Sequence, residues 1–142
     1  MSVLNYLREG LSNLPKNQEY VTDDGDVYDV TAIAKFAESL PSKKIPTATL
    51  NPQVHTFMWK YPENEDGEEI SIQDVLDDPE KYHEHYDRML KADTIYPIIM
   101  APNNEIIDGN HRLGKTIIDK SDYISVKRID NWEDIDFAKK EA

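Results

Sequence analysis

The sequence predicts an α+β domain with a small mixed sheet, a hairpin and flanking helices. Short apolar and β-branched runs bounded by turn residues alternate with segments whose apolar residues recur at helical spacing. The length of 142 residues is near the commonest size of one domain. We therefore expect a single domain, with an N-terminal extension over residues 1–42, a core over residues 43–130 and a C-terminal tail over residues 131–142.

The N-terminal extension is predicted to contain a helix, a hairpin and a second helix. The hairpin is expected between Glu19 and Val30, where the turn residues 23–26 interrupt an alternating pattern. Proline follows both helices, at Pro15 and Pro41, and ends each of them. Leucines at helical spacing indicate the first helix: Leu4, Leu7, Leu11 and Leu14. The second helix is indicated by Ile33, Phe36, Ala37 and Leu40.

The middle of the chain is predicted to begin with an edge strand. Residues 44–50 carry three β-branched side chains and lead into a turn at Asn51-Pro52, while Pro46 favours a place near a sheet edge. Residues 61–67 are polar and indicate an exposed loop or insertion.

Two helices are expected after this loop. One begins near Ser71, and the other begins with Asp78 as its N-cap and Pro79 at its first position. The second helix has four apolar or aromatic residues predicted to share a face: Tyr82, Tyr86, Met89 and Leu90.

The last third shows the clearest pattern of elements. An apolar run over residues 94–100, a turn over 101–104 and a short strand over 105–107 predict a hairpin. A helix should follow and then a strand from Tyr123 to Ile129. Residues 132–142 predict either a short charged helix or a frayed end.

Composition and charge exclude several classes of protein. The chain has no cysteine, which excludes disulfides, thiolate metal sites and cysteine nucleophiles and fits a reducing cytoplasm. We find no secretion signal and no long apolar segment, so we expect a cytoplasmic protein without membrane contact. The formal charge of −12 repels phosphate backbones and disfavours broad nucleic-acid binding.

Many acidic residues are concentrated in the segment from Glu63 to Glu84. A solvated surface is the ordinary interpretation of such a run. A face that binds a basic protein partner or mimics DNA is the alternative.

The residues that carry chemistry follow the predicted strand 105–107. A helix that begins there presents unpaired backbone N–H groups, which attract an anion such as phosphate. Glycine lets the backbone approach the anion closely, and basic side chains in the first turn add charge-assisted hydrogen bonds. Cations at a helix start oppose the helix dipole, so a basic pair there indicates a ligand. The site is formed by Asp108, Gly109, Asn110, His111 and Arg112.

Two other interpretations apply to the same segment. Asp108 could be only a helix cap, with His111 and Arg112 only surface residues. Residues 109–116 also satisfy the phosphate-loop pattern G-x-x-x-x-G-K-T. We do not interpret them as such a loop, because Leu113 and the apolar residues after it indicate a helix throughout. Lys115 is then at most a secondary phosphate contact.

The segment resembles the core of ParB/sulfiredoxin domains. The likeness covers residues 43–129 and includes Pro97-Ile98-Ile99, the run from Glu105 to Leu113 and the strand around Val126. It implies a nucleotide, ATP or another, whose phosphates bind at the Gly-x-His-Arg helix start.

Differences from individual family members narrow what the resemblance implies. Sulfiredoxins carry a catalytic cysteine where this chain has Asn110, so that activity is excluded. ParB partition proteins bind CTP through an arginine-rich variant and add a helix-turn-helix, and this sequence has neither feature. Amino-acid kinases of the family place an acidic residue where Asp108 stands. Other members are ATPases or DNA nucleases.

The leading hypothesis is therefore an enzyme of the kinase or ATPase type that acts on a small-molecule acceptor or water. Asp108 and His111 are the expected catalytic residues, and Asp108 is also the candidate ligand of Mg²⁺. The nucleotide would be held by Gly109, Asn110, His111, Arg112 and Lys115.

Two alternative classes remain open. A nuclease or DNA-binding module would need a basic stripe, for which the candidates are Arg112, Lys115, Lys120, Lys127 and Arg128. A non-catalytic protein would instead use its acidic segment to bind a partner.

Three other histidines are assigned ordinary roles. His55, with Asn51 and Gln53, follows the first core strand and could line the same cleft, but a loop histidine is the favoured interpretation. His83 and His85 stand two apart on a predicted helix and are expected to be exposed rather than to bind metal.

Overall fold

The computed structural model describes residues 19–140 and confirms an α+β architecture. The helices are Val30–Ala37 (α1), Asn51–Val54 (α2), Ile72–Asp77 (α3), His83–Lys91 (α4) and Asn110–Ile118 (α5). The strands are Glu19–Val21 (β1), Val27–Asp29 (β2), Lys43–Pro46 (β3), Trp59–Tyr61 (β4), Glu68–Ile70 (β5), Ile98–Met100 (β6), Ile106–Asp108 (β7), Tyr123–Arg128 (β8) and Lys139–Lys140 (β9). Two 3₁₀ helices add Thr47–Leu50 and Trp132–Ala138. Within this part of the chain no helix is long and apolar enough to cross a bilayer.

The chain divides into two units, and each unit is formed by segments that are not contiguous in the sequence. Of the described residues, the first unit comprises 19–43, 95–109 and 125–140. The second unit comprises residues 44–94 and 110–124. The helix predicted from the four leucines before Pro15 falls outside the described residues.

The first unit contains the predicted N-terminal hairpin. Strands β1 and β2 pair antiparallel across a turn in which Gly25 has φ +90°, and β9 adds a third strand beside β2. The carboxylate of Asp29 caps α1 by accepting hydrogen bonds from the amides of Thr31 and Ala32. Helix α1 buries Ile33 among the other apolar residues of this unit. The hairpin is thus confirmed, and so is the presence of the second helix, but that helix ends at Ala37 and does not extend to Leu40 and Pro41 as predicted.

The C-terminal segment packs on the first unit instead of fraying. Trp132 stacks on Tyr20 and Tyr28, with ring centroids 6.5 Å and 5.7 Å away. Ile135 and Ala138 of the 3₁₀ helix are buried in the same core. Burial of these apolar side chains is the interaction that orders the segment.

A four-stranded sheet has the strand order β3-β8-β6-β7. Strands β6 and β7 form the predicted hairpin, with a register shift at Ile99 and Met100, and β6 pairs parallel with β8. All three residues of β6 are buried, which explains its continuous apolar run. Strand β3 lies at one edge of the sheet, as Pro46 predicted.

The second unit combines the hairpin β4–β5 with helices α3, α4 and α5. Helix α3 begins with a capping box, in which the Ser71 hydroxyl accepts from the Asp74 amide and the Asp74 carboxylate accepts from the Ser71 amide. Helices α4 and α5 pack closely, because a Cβ added at Gly114 would lie 2.5 Å from Sδ of the buried Met89. A side chain at position 114 would therefore force Met89 to move.

Two boundaries in the second unit differ from the prediction. The strand predicted over 44–50 ends at Pro46, and Asn51-Pro52 opens the short helix α2 instead of a turn. Proline suits the first helical turn because its missing N–H has no partner there in any case.

Helix α4 begins at His83 and not at Asp78-Pro79. The Asp78 carboxylate caps a single turn by accepting from the Lys81 amide at 3.3 Å. Of the four residues predicted to share a face, Tyr82 and Met89 are buried, whereas Leu90 is 42% exposed.

Candidate functional site

The strand–turn–helix arrangement predicted around Gly109 is present. Strand β7 ends at Asp108, Gly109 has φ +111°, and α5 begins at Asn110. A φ of this sign is unfavourable for residues with a Cβ, so glycine is required for the abrupt change of direction. The division between the two units falls directly after Gly109, so Asp108 and Gly109 belong to the first unit and α5 to the second.

Three polar side chains of this segment are withdrawn from solvent. Asp108 is only 4% exposed in the first unit, and Arg112 is only 3% exposed in the second. The side-chain oxygen of Asn110 is buried and has no hydrogen-bond partner among the described residues. An unsatisfied buried polar atom is costly and requires an explanation such as a ligand. Arg112 is therefore not the surface residue that the simpler interpretation supposed.

The phosphate-loop pattern at residues 109–116 does not form a loop. Gly114, Lys115 and Thr116 lie inside α5, and the Thr116 hydroxyl donates to the Arg112 carbonyl at 2.9 Å. The Lys115 ammonium lies 3.3 Å from an Asp119 carboxylate oxygen, in the last turn of the helix. The helix predicted through these residues is confirmed.

A pair of imidazoles stands beside the start of α5. Nδ1 of His85, on α4, lies 3.1 Å from Nε2 of His111, on α5. The ring planes differ by only 13°, and the centroids are 5.3 Å apart. At this ring separation such a short contact between nitrogens places the imidazoles edge to edge, joined by one N–H···N hydrogen bond.

The indole of Trp59 covers one face of this imidazole pair. Its centroid is 4.3 Å from that of His85 and 4.8 Å from that of His111, with interplanar angles of 19° in both cases. The two histidines are hydrogen-bonded to each other, so the indole must lie over both from the same side. Tyr61, on the same strand β4, contacts His85 edge to face and packs against Tyr82. The pair is thus enclosed by aromatic side chains.

Two charged side chains approach the outer end of the pair. The buried Nε2 of His85 lies 3.8 Å from an Oε1 of Glu63, and the same oxygen lies 3.3 Å from the Arg88 guanidinium. Nε2 of His85 has no hydrogen-bond partner among the described residues, although His85 is 1% exposed. The Glu63 carboxylate therefore lies beside this nitrogen without forming a hydrogen bond to it.

Both imidazoles are neutral near pH 7. Burial lowers the pKa of His111 from 6.5 to about 3, and the neighbouring His85 and the positive charges of Arg88 and Arg112 act in the same direction. Burial also lowers the pKa of His85, followed by the effect of Arg88, whereas Glu63 and Glu84 oppose it. The sequence led us to expect a charged His111 beside the phosphate, and the structure instead shows a neutral ring before any anion is bound.

The prediction that His83 and His85 are both exposed is wrong for one of them. His83 is exposed, but the start of α4 at His83 places His85 on the same inward face as Met89, four residues later. Sequence reasoning also missed Trp59 and Tyr61. The alternating pattern of Trp59-Lys60-Tyr61 was the available signal for their strand.

Of the five basic residues considered for a nucleic-acid stripe, three make contacts within their own unit, one is buried, and Lys120 is exposed. In the first unit, Lys127 donates to the Ala37 carbonyl at 2.8 Å and Arg128 donates to Asn104. In the second unit, Arg112 is buried and Lys115 is paired with Asp119. These contacts weaken the alternative of a DNA-binding surface.

The remaining expected positions are on the surface of the second unit. His55 is exposed at the end of α2, as expected of a loop histidine, and Asn51 is exposed. The acidic residues over 63–80 are mostly exposed, which agrees with a solvated surface. One exposed pair there joins Lys81 to Glu68 at 3.4 Å.

Comparison with known proteins gives no family for this chain. No family model matches it, and no curated protein and no solved structure is similar enough to report. The fold class and the geometry of the second unit are therefore the basis for a functional proposal.

Proposed function

We propose that this chain is a nucleotide-binding protein with a ParB/sulfiredoxin-like core and that it transfers or hydrolyses the terminal phosphate of the nucleotide. The observation that carries the proposal is the start of α5. A glycine at positive φ leads directly into a helix whose first residue, Asn110, keeps a buried polar atom without a partner among the described residues. Such a start offers free amides to an anion and an amide side chain to the rest of the ligand.

The length of α5 and the positive charge in its first turn support phosphate as the bound anion. Helix α5 has nine residues, which is enough for the helix dipole to stabilise an anion at the first turn. Arg112, in the first turn of the same helix, adds a positive charge on this side of the second unit and is 3% exposed. His111, in the same turn, is neutral before the anion arrives and can act as a hydrogen-bonding group.

Magnesium is the metal that this chemistry implies. The described residues hold no cluster of three or more acidic or histidine side chains suited to a metal ion. Mg²⁺ is commonly held by one or two carboxylates together with phosphate oxygens and water, so a single carboxylate is compatible with it. Asp108 is the residue proposed for that role, and the metal would neutralise the charge of the transferred phosphate.

Nucleotide binding can be tested by thermal unfolding with ATP, ADP, CTP and GTP, each with magnesium. A ligand present at 100 times its Kd should stabilise the protein by about 2.7 kcal/mol. The same stabilisation should be strongly reduced in Arg112→Lys, which keeps the charge but loses the bidentate geometry. Lys91→Ala, which removes an exposed charge in the last turn of α4, is the control and should respond like the wild type.

Two outcomes would count against the proposal. If none of the four nucleotides raises the melting temperature, the nucleotide site is refuted, and a non-catalytic role for the acidic segment becomes the better explanation. If Arg112→Lys responds as strongly as the wild type while folding normally, the phosphate does not bind at the start of α5.

A further inference from the structure

The hydrogen-bonded histidines of the second unit have a defined arrangement of protons. One ring must donate in the contact between Nδ1 of His85 and Nε2 of His111, because two neutral imidazoles share a single N–H in it. If His85 donated, its Nε2 would carry a lone pair directed towards the carboxylate of Glu63, 3.8 Å away. Two acceptors would then face each other at a buried position.

The opposite arrangement removes this conflict. When His111 donates from Nε2, Nδ1 of His85 accepts and Nε2 of His85 carries its proton towards Glu63. The hydrogen-bond order then runs from His111 to His85 to the carboxylate. The second ring nitrogen of His111, Nδ1, is left with a lone pair.

We infer that Glu63 and His85 are positioning residues which fix His111 as the general base of the proposed phosphate transfer, with Nδ1 of His111 as the proton acceptor. The inference rests on the proposed function, because the anion at the start of α5 brings the reacting phosphate to this ring. It assigns the proton transfer to His111 and leaves Asp108 with the metal role alone. Neither Glu63 nor His85 was expected from the sequence to take part.

In the proposed phosphate transfer one proton moves, one bond to phosphorus forms and one breaks. The acceptor's hydroxyl or a water gives its proton to Nδ1 of His111 while its oxygen forms a bond to the terminal phosphorus. The bond from that phosphorus to the bridging oxygen breaks, and the electron pair leaves with the nucleoside diphosphate. The resulting imidazolium hydrogen-bonds through Nε2 to His85, whose other N–H faces Glu63, and it later releases its proton to solvent.

The bound anion supplies the basicity that His111 lacks without it. A negative charge about 5 Å away, at an effective dielectric near 20, strengthens proton binding roughly 300-fold. Arg112 and magnesium offset part of the phosphate charge, so the pKa of His111 rises from about 3 but stays below neutrality, and the ring remains unprotonated and able to accept a proton. The base is therefore stronger when the phosphate is present, and anion binding is accompanied by proton uptake only in acidic solution.

Several charged groups on neighbouring elements affect the pKa values of the imidazole pair. Helix α4 contributes Arg88 and Glu84, and the β4–β5 loop contributes Glu63. Helix α5 contributes Arg112. Helix α3, which also packs in this unit, places Asp74 in its capping box with Ser71. The arginines favour the neutral form of the imidazoles, and a bound anion opposes them.

Nuclear magnetic resonance of ring nitrogens tests the proton arrangement in the whole chain. The sequence has four histidines, and His55→Gln together with His83→Gln leaves only the paired rings. Both rings should be protonated at Nε2 and unprotonated at Nδ1. Glu63→Gln should shift both rings towards the other tautomer, and Glu63→Asp should restore part of the original signal. Protons on Nδ1 of both rings in the parent protein would overturn the inference.

Proton uptake tests the base itself and separates the two proposals. Sulfate is a suitable probe because it remains a dianion in weakly acidic and neutral solution, so protons taken up on binding enter the protein. Calorimetry at pH 5 in two buffers of different ionisation enthalpy should show proton uptake that is lost in His111→Gln, and at pH 7.5 this uptake should vanish, because a ring protonated there could not act as a base. Binding of sulfate without proton uptake at pH 5, or with full uptake at pH 7.5, would overturn the assignment of His111 and leave the anion site intact. Failure to bind would refute the anion site, and the base assignment with it.

Discussion

Acid should destabilise the folded protein through His111. The folded pKa of this residue is about 3 and the unfolded value is 6.5, so the unfolded chain binds a proton at pH values where the folded protein does not. The stabilisation from the neutral ring is therefore complete above pH 6.5. It is lost progressively as the pH falls from 6.5 towards 3.

The size of this effect follows from the two pKa values. Each pH unit below 6.5 removes about 1.4 kcal/mol until the folded ring titrates, so the loss at pH 5 is roughly 2 kcal/mol. This loss hardly depends on the folded pKa as long as that value is below about 4. His85, whose pKa is also lowered, acts in the same direction.

Urea unfolding at pH 7.5 and pH 5.0, followed by circular dichroism, measures the free energy of unfolding at each pH. The wild type should lose roughly 2 kcal/mol more than His111→Gln, because glutamine keeps a polar group but does not titrate. His83→Gln changes an exposed histidine and should behave as the wild type. Equal losses in the wild type and His111→Gln would refute the burial argument.

Three further substitutions test parts of this account. Gly109→Ala should destabilise the protein by about 1–3 kcal/mol, because φ +111° strains a residue with a Cβ; an unchanged melting temperature would contradict the required turn. Ser71→Ala should lower the free energy of unfolding in urea by about 1 kcal/mol, because it removes the cap of α3. Ser71→Thr should retain most of this stability. An unchanged free energy of unfolding in Ser71→Ala would show that the capping box contributes nothing. Trp59→Leu should raise the pKa of His111 towards 6.5 in a magnetic-resonance titration by admitting water to the imidazole pair, and an unchanged pKa would show that the indole does not desolvate the rings.

Local patterns in the sequence were enough to predict the helix start at Asn110. The apolar strand before it, the glycine at position 109 and the apolar spacing after it are all contiguous, so short-range rules apply. The same is true of the cap at Ser71. The start of α4 was misplaced because Asp78-Pro79 is equally suited to capping a single turn, which is what Asp78 does here.

The imidazole pair could not have been predicted from one sequence. His85 and His111 are 26 positions apart, and their contact depends on how α4 packs against α5. Gly114 permits that close approach, but a glycine within a helix does not indicate which residue it faces. Burial of His85 then lowers its pKa, and this effect cannot be predicted from the residue type alone.

The central claim is that the first amides of α5 bind phosphate, and a titration of the ¹⁵N-labelled protein with magnesium and ADP tests it most directly. We expect the largest and earliest changes in the backbone amide signals of Asn110, His111 and Arg112, all with the same apparent affinity. The account would be contradicted if these three signals stayed in place at ADP concentrations that saturate binding elsewhere on the protein.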